Sequence, residues 1–301
     1  MNKVTKILII VASSLLVLGG VVFTLVMSSL SWDFSKLNTL KYAINVHEIE
    51  QEFDSIFIET DTADVKFILS TDGKNKVECL EQEKLNHKVS VVDGVLTVKI
   101  NDERSWFEHV TLFGKKTHVN VYLSSEQLDN VTLKASTGDL EIGKEFSLNN
   151  LDVNVSTGDV TCKASVSQLL KVKVSTGDID LFDLNANKIE LRASTGDMEL
   201  ISVTCKILTT EADTGDISLT NVIASQSLNI KRSTGDVEFN GVDSLSINVE
   251  TSTGDVEGTL LSGKIFDCDS SSGKVQVPNS TDGGICKVRT STGRIKLFVQ
   301  N

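Results

Sequence analysis

Seven aspartates recur at one position of a repeated phrase, nearly always Ser-Thr-Gly-Asp: Asp139, Asp159, Asp178, Asp197, Asp216, Asp236 and Asp255. Successive members stand 19 or 20 residues apart. Stacked at the usual strand spacing of ~4.8 Å, they form a row of like charges. Each neighbouring pair then repels by about 1 kcal/mol in water and about 3 to 4 kcal/mol at an effective dielectric of 20. Two chemistries can hold such a row. Turn amides and Ser or Thr hydroxyls can hydrogen-bond it, as in Asx-type turns, which makes it structural. The same seven carboxylates could instead form a cation-binding edge, since calcium takes six to eight oxygen ligands and turn carbonyls could complete the set. The phrase lacks the Asp-x-Asp-x-Asp density of calcium loops, so any calcium binding is expected to be weak and multisite. No other cofactor is expected.

Catalysis finds little support. Some parallel β-helices cleave polysaccharides with clustered acids, but here the acids repeat coil after coil and no coil stands out. His47, His87, His109 and His118 all precede the repeats. No Ser or Cys elbow, Gly-rich phosphate loop or metal pair of histidines accompanies them. The expectation is a protein with no catalytic or cofactor-binding residues, in which Trp106, Phe107 and His109 pack a cap.

The elements that must position the aspartates follow from the glycines beside them. Gly138, Gly158, Gly177, Gly196, Gly215, Gly235, Gly254, Gly273 and Gly293 keep the same period. A fixed period near 20 residues marks a solenoid, in which no coil buries its apolar face until a neighbour stacks on it. Around each glycine, apolar residues alternate: Leu170, Val172 and Val174 before Gly177, then Ile179 and Leu181 after it. Period two is the signature of strands with one buried face. Each coil therefore carries two strands joined at a corner, where glycine accepts positive φ and Ser and Asp bond nearby backbone. The fold class is all-β: a parallel β-solenoid of 19–20-residue coils, with a β-rich cap and one N-terminal transmembrane helix.

A degenerate copy precedes the array. Ile56, Ile58, Val65 and Phe67 keep the apolar positions, and Ala63 stands where glycine is expected. Strand signals follow over 88–92, 95–100 and 119–123. At the other end, Lys274 and Arg294 replace the aspartate, with Lys287, Arg289 and Lys296 nearby. Cations on a final, unpaired coil discourage strand addition; a docking end for an acidic partner is the alternative.

Residues 7–30 carry no charge, which suffices for a bilayer crossing of about 20 residues. Lys3 and Lys6 precede them, so the positive-inside tendency puts the N-terminus in the cytoplasm and the rest outside. Trp32 and Phe34 fit an interfacial anchor. A cleaved signal peptide is the competing reading, its apolar core usually being shorter. The expected layout is a cytoplasmic N-terminus at 1–6, an anchor at 7–30, a stalk at 31–46, a cap at 47–125 and a solenoid of nine repeats at 126–301.

Five cysteines give an odd count without metal-type spacing, which argues against a disulfide framework or zinc site. Cys162, Cys268 and Cys286 fall at inward strand positions, while Cys79 and Cys205 fall outside the pattern. A net charge of −12 argues against nucleic acid, which calls for a basic surface, and against simple docking on anionic lipid.

The phrase Phe53-Asp54-Ser55-Ile56-Phe57-Ile58 with Asp64-Val65 resembles the entry strand of a bacterial β-strand-repeat family named for adhesins, of unknown function. Gly94 to Val98, the Trp106 segment and Val119 to Leu123 are similar to that family's middle section, where a proline usually stands at the place of Ser124. The resemblance covers residues 45–301 and implies the solenoid, but no reaction. Together with the anchor, it implies a membrane-anchored, extracytoplasmic binding or adhesion module in the cell envelope. Its partners, beyond the bilayer around 7–30, would be an envelope glycan, a cationic peptide or a membrane protein. The alternative is an envelope scaffold or stress-sensing component acting through a membrane protein partner.

Overall fold

The computed structural model describes residues 2–33, 41–104 and 115–300. Phe34, Trp106, Phe107 and His109 lie outside these residues. Two compact units are present, residues 1–42 with 104–115 and residues 43–103 with 116–301.

The first unit holds helix α1, Lys3–Ser29. Asn2 caps it, its Oδ1 accepting from the Thr5 N–H at 2.8 Å. Its 27 residues, with an 18-residue stretch of mean hydropathy 2.6, make α1 long and apolar enough to cross a membrane. The Trp32 ring meets Phe23 edge-on, with centroids 6.5 Å apart.

The second unit is a single continuous β structure. Its first strands are β1 (Tyr42–Ile49), β2 (Ser55–Thr60), β3 (Ala63–Leu69), β4 (Asn75–Gln82), β5 (Leu85–Val92), β6 (Val95–Asp102) and β7 (Thr117–Leu123). Then come β8 (Gln127–Thr137), β9 (Leu140–Ile142), β10 (Ser147–Thr157), β11 (Val160–Cys162), β12 (Ser165–Thr176) and β13 (Ile179–Phe182). They continue as β14 (Ala186–Thr195), β15 (Met198–Ile201), β16 (Thr204–Thr214), β17 (Ile217–Thr220), β18 (Ile223–Thr234) and β19 (Val237–Thr253). The last are β20 (Val256–Leu260), β21 (Lys264–Ser270), β22 (Val275–Gln276), β23 (Gly284–Thr292) and β24 (Ile295–Val299).

In each regular coil a long strand turns through the glycine corner into a short one. Both pair in parallel with their counterparts one coil away: Val153 lies beside Leu133 and Val172, and Val160 beside Leu140 and Ile179. The alternation read from the sequence is the burial pattern. Val172, Leu191 and Ile230 are 1%, 2% and 1% exposed. Stacked Val, Ile and Leu rows fill one continuous interior. Truncating such a residue to Ala typically costs about 2–5 kcal/mol.

Stacking order departs from chain order at both ends. At the start, β2 and β3 sit directly against β8 and β9, while β6 and β7, later in sequence, form the coil outside them. β4 and β5 run antiparallel to β7 and β6 and cover that coil. At the far end, β23 and β24 lie between the Gly254 coil and β21–β22. The Arg294 coil, last in sequence, is therefore not the terminal one; the Lys274 coil is. The expectation that both cations guard an open edge holds in position only for Lys274.

A cross-strand charge argument accounts for this order. Along one outward row the spatial sequence is Lys231, Glu250, Arg289, Asp269, so signs alternate. Stacking in chain order would set Glu250 against Asp269, and like charges directly opposite are destabilising.

Cys79 and Cys205, expected outside the core pattern, are 0% and 3% exposed. Cys79 points inward from β4, and Cys205 opens the long strand β16 beside Ala224. All five cysteines are free thiols.

Candidate functional site: an acidic face with cations at its ends

Each corner is built by glycine and aspartate together. Gly138, Gly158, Gly177, Gly196, Gly215, Gly235, Gly254 and Gly293 have φ between 127° and 150°, a region that L side chains avoid. A second constraint comes from the coil beneath. A Cβ on Gly158 would fall under 3.0 Å from the Gly138 carbonyl oxygen, and the same clash recurs up the stack. Ala63 is allowed because it is not a positive-φ residue, and the corner stacked on it, Gly138, is the one that lacks room for a Cβ.

The glycine N–H reaches one way, to the next coil's threonine carbonyl, as from Gly158 to Thr176 at 2.9 Å. The aspartate N–H reaches the other way, to the previous coil's aspartate. Asp159 donates to Asp139 Oδ1 at 3.0 Å, Asp178 to Asp159 at 2.8 Å and Asp197 to Asp178 at 2.7 Å. Asp216 donates to Asp197 at 2.6 Å, Asp236 to Asp216 at 2.8 Å and Asp255 to Asp236 at 2.7 Å. All seven aspartates read from the sequence are thus brought into one ladder.

The ladder extends one step further at each end. Asp139 donates to Asp64 Oδ1 at 3.0 Å, and Arg294 donates to Asp255 Oδ1 at 2.7 Å. The donors are backbone amides, not the Ser and Thr hydroxyls that the sequence also offered. A hydrogen bond to a charged group contributes about 1.5–3 kcal/mol, more than the ~1 kcal/mol repulsion between water-exposed neighbours. The row is therefore stable as a stack.

A second acidic row runs alongside. The outward positions of the short strands read Lys66, Glu141, Thr161, Asp180, Glu199, Ser218, Glu238, Glu257 and Lys296 in register. Both rows end in cations. Lys116 Nζ lies 2.9 Å from both Asp64 Oδ2 and Asp139 Oδ2, and Lys66 pairs with Glu141 at 2.7 Å. Arg294 lies 2.6 Å from Asp255 Oδ2 and 2.8 Å from Glu257 Oε1.

Between these ends Asp159, Asp178, Asp197, Asp216 and Asp236 are exposed. Among the described residues, the only cation within salt-bridge range of these five is the buried Arg232, 3.9 Å from Asp216 Oδ1. Electrostatics follow the geometry. The Asp159 amide, and then Lys116, hold the Asp139 carboxyl below its usual range. The amide and guanidinium of Arg294 do the same for Asp255. Asp180 goes the other way: burial first, then Glu199, Asp178 and Asp159, raise its pKa. The centre of the face thus holds unneutralised negative charge.

Sequence reasoning missed the second row, although Glu141, Asp180, Glu199, Glu238 and Glu257 all stand two residues after a corner aspartate. It also missed a cluster in the β4–β5 hairpin, where Cys79, Glu81 and His87 each offer a donor atom within 4.8 Å of the others. The signal was Cys79-x-Glu81, two residues on one strand face, with His87 across the turn.

A family model described as Toastrack DUF4097 matches residues 53–222 and 187–301. The chain is similar in structure to a "putative adhesin" of Bacteroides fragilis, at 17% identity and TM-score 0.50, covering 86% of this chain and 97% of that one. It is also similar to "putative adhesins" of Parabacteroides distasonis (14% identity, TM-score 0.43, 86% and 97% covered) and Parabacteroides merdae (14%, 0.41, 86% and 96%). No curated protein matches it.

Proposed function

The chain belongs to the Toastrack DUF4097 family, and we propose that it is a membrane-tethered, extracytoplasmic binding module of the adhesin type, without catalytic activity. Helix α1 serves as the tether, and Lys3 and Lys6 before it favour a cytoplasmic N-terminus. The recognition surface is the acidic face, and its ligand is polycationic, such as a cationic peptide of the envelope.

One observation carries this reading: two parallel acidic rows with Lys or Arg only at their ends, leaving Asp178, Asp180, Asp197 and Glu199 at the centre without an ion pair among the described residues. Parallel rows at strand spacing suit an extended ligand with repeated positive charges, which gains electrostatic attraction at several points at once. A lone calcium ion is the weaker candidate, because each corner aspartate already commits one oxygen to an amide.

The test is titration of the full chain in detergent micelles with a Lys-rich peptide and, separately, with calcium, at low and high salt. Peptide binding that weakens with salt is expected. The fourfold variant Asp178→Asn, Asp180→Asn, Asp197→Asn and Glu199→Gln should lose at least ~10-fold in affinity. Peptide affinity unchanged in that variant would remove the acidic face as the site.

A further inference from the structure

We propose that Cys79, Glu81 and His87 form a binding site for a zinc-class divalent ion that closes the N-terminal end of the solenoid. One donor atom from each residue lies within 4.8 Å of the other two. Cys79, Glu81 and His87 are 0%, 2% and 5% exposed. Carboxylate and imidazole lose water on burial, and here hydrogen bonds from the surrounding residues hold both in place.

The fold creates the cluster by strand geometry. Cys79 and Glu81 are two apart on β4 and so share its inward face. The chain reverses at Gln82 and Leu85, which brings His87 of β5 alongside. His87 Nδ1 lies 2.8 Å from Glu81 Oε2, and the His87 N–H donates to the same oxygen at 2.7 Å. Around the cluster stands an orienting layer. Asn45 Nδ2 donates to Glu81 Oε1 at 2.6 Å, and Thr60 Oγ1 lies 3.0 Å from His87 Nε2. Partners of this kind fix ligand orientation in metal sites.

Donor chemistry selects the ion. A thiolate, an imidazole and a carboxylate suit zinc, whereas calcium and magnesium take oxygen donors. The charge also balances: a divalent ion with one thiolate, one carboxylate and a neutral imidazole leaves no net charge to bury. Tetrahedral zinc at its usual bond lengths sets neighbouring N and O donors ~3.3 Å apart. The His87–Glu81 contact at 2.8 Å must therefore open by about half an ångström. Three protein ligands leave a fourth position for a water, while Thr60 stays on the far ring nitrogen of His87. The ion would join β4 and β5, and through Thr60 it would also reach β2.

The test uses the full chain in detergent micelles, stripped with chelator and titrated with Co²⁺ as a spectroscopic stand-in, then with Zn²⁺. The expected result is one equivalent of Co²⁺ with a thiolate-to-cobalt charge-transfer band, displaced by one equivalent of Zn²⁺. That band should vanish in Cys79→Ser and persist in Cys162→Ser and Cys268→Ser. His87→Gln should weaken zinc binding ~10–100-fold. A wild-type chain with native far-ultraviolet circular dichroism and no charge-transfer band overturns the proposal, as does a band that survives in Cys79→Ser. The wild-type spectrum decides even if Cys79→Ser does not fold.

Discussion

Asp178 Oδ1 accepts the backbone N–H of Asp197, one coil on, at 2.7 Å. One oxygen of each corner carboxylate is thus part of the stack's own backbone hydrogen bonding, and the charge is secondary to that role. The side-chain carbonyl of Asn can accept the same bond. Asp178→Asn should therefore keep stability within about 0.5 kcal/mol in urea denaturation, while Asp178→Ala, which leaves the Asp197 amide unserved by protein, should lose about 1 kcal/mol or more. Equal losses in the two variants would show that charge, not the acceptor, holds the ladder.

Acid should act on the two parts of the face with opposite sign. Asp139 and Asp255 have pKa values below the ordinary carboxylate value. Their contribution is present above the unfolded Asp value of about 3.9 and is lost as pH falls through their lower folded values. Asp180 has a raised pKa, so its ionisation opposes folding as pH rises through that value. Asp180→Asn should consequently raise the urea midpoint at neutral pH and leave it unchanged well below pH ~4. A midpoint shift of the same size at both pH values would contradict this assignment.

Glycine at the corner answers to two constraints at once, and a mutation separates it from an ordinary loop glycine. Gly196→Ala places a Cβ under 3.0 Å from the Gly177 carbonyl oxygen at a φ of 139°. The clash is with backbone, so the coil spacing must give. A loss of about 3 kcal/mol or more is expected. Gly263→Ala meets its nearest atom, Ser280 Oγ, at 3.4 Å and has no positive φ, so its thermal midpoint should move little. Comparable destabilisation by both would refute the steric account.

Much of this was legible in the residues, for reasons that also mark where reading stops. Val172 and Leu191 announce their inward position because period-two alternation is local to a strand. Arg232 breaks the alternation yet also faces inward, 4% exposed, because its guanidinium finds the Thr234 and Asp236 carbonyls in its own corner. Such a contact depends on the corner's folded shape, which no periodicity encodes. The β4–β5 cluster left only the short Cys79-x-Glu81 spacing as a signal, because β4 and β5 run antiparallel to the coils, outside the 20-residue period. Stacking order at the ends is harder still, since every coil carries the same internal pattern and only neighbour-to-neighbour chemistry distinguishes them.

That chemistry makes the C-terminal order a sharp prediction. Glu250 lies in register with Arg289, and Arg289 with Asp269, its guanidinium also reaching Asp267 at 2.6 Å. Chain-order stacking would instead make Glu250 and Asp269 neighbours. Glu250→Cys paired with Arg289→Cys should form a disulfide under mild oxidation, which needs Cα atoms within about 7 Å, detected by intact mass. Glu250→Cys paired with Asp269→Cys should not, because a whole coil intervenes at about twice the ~4.8 Å strand spacing. The native thiols interfere little: four of the five are buried, and Cys268→Ser removes the half-exposed one. Efficient coupling of 250 to 269 with none to 289 would mean the coils stack as the chain runs. Arg294 would then no longer follow Asp255, and the cation at that end of the acidic face would be Lys274.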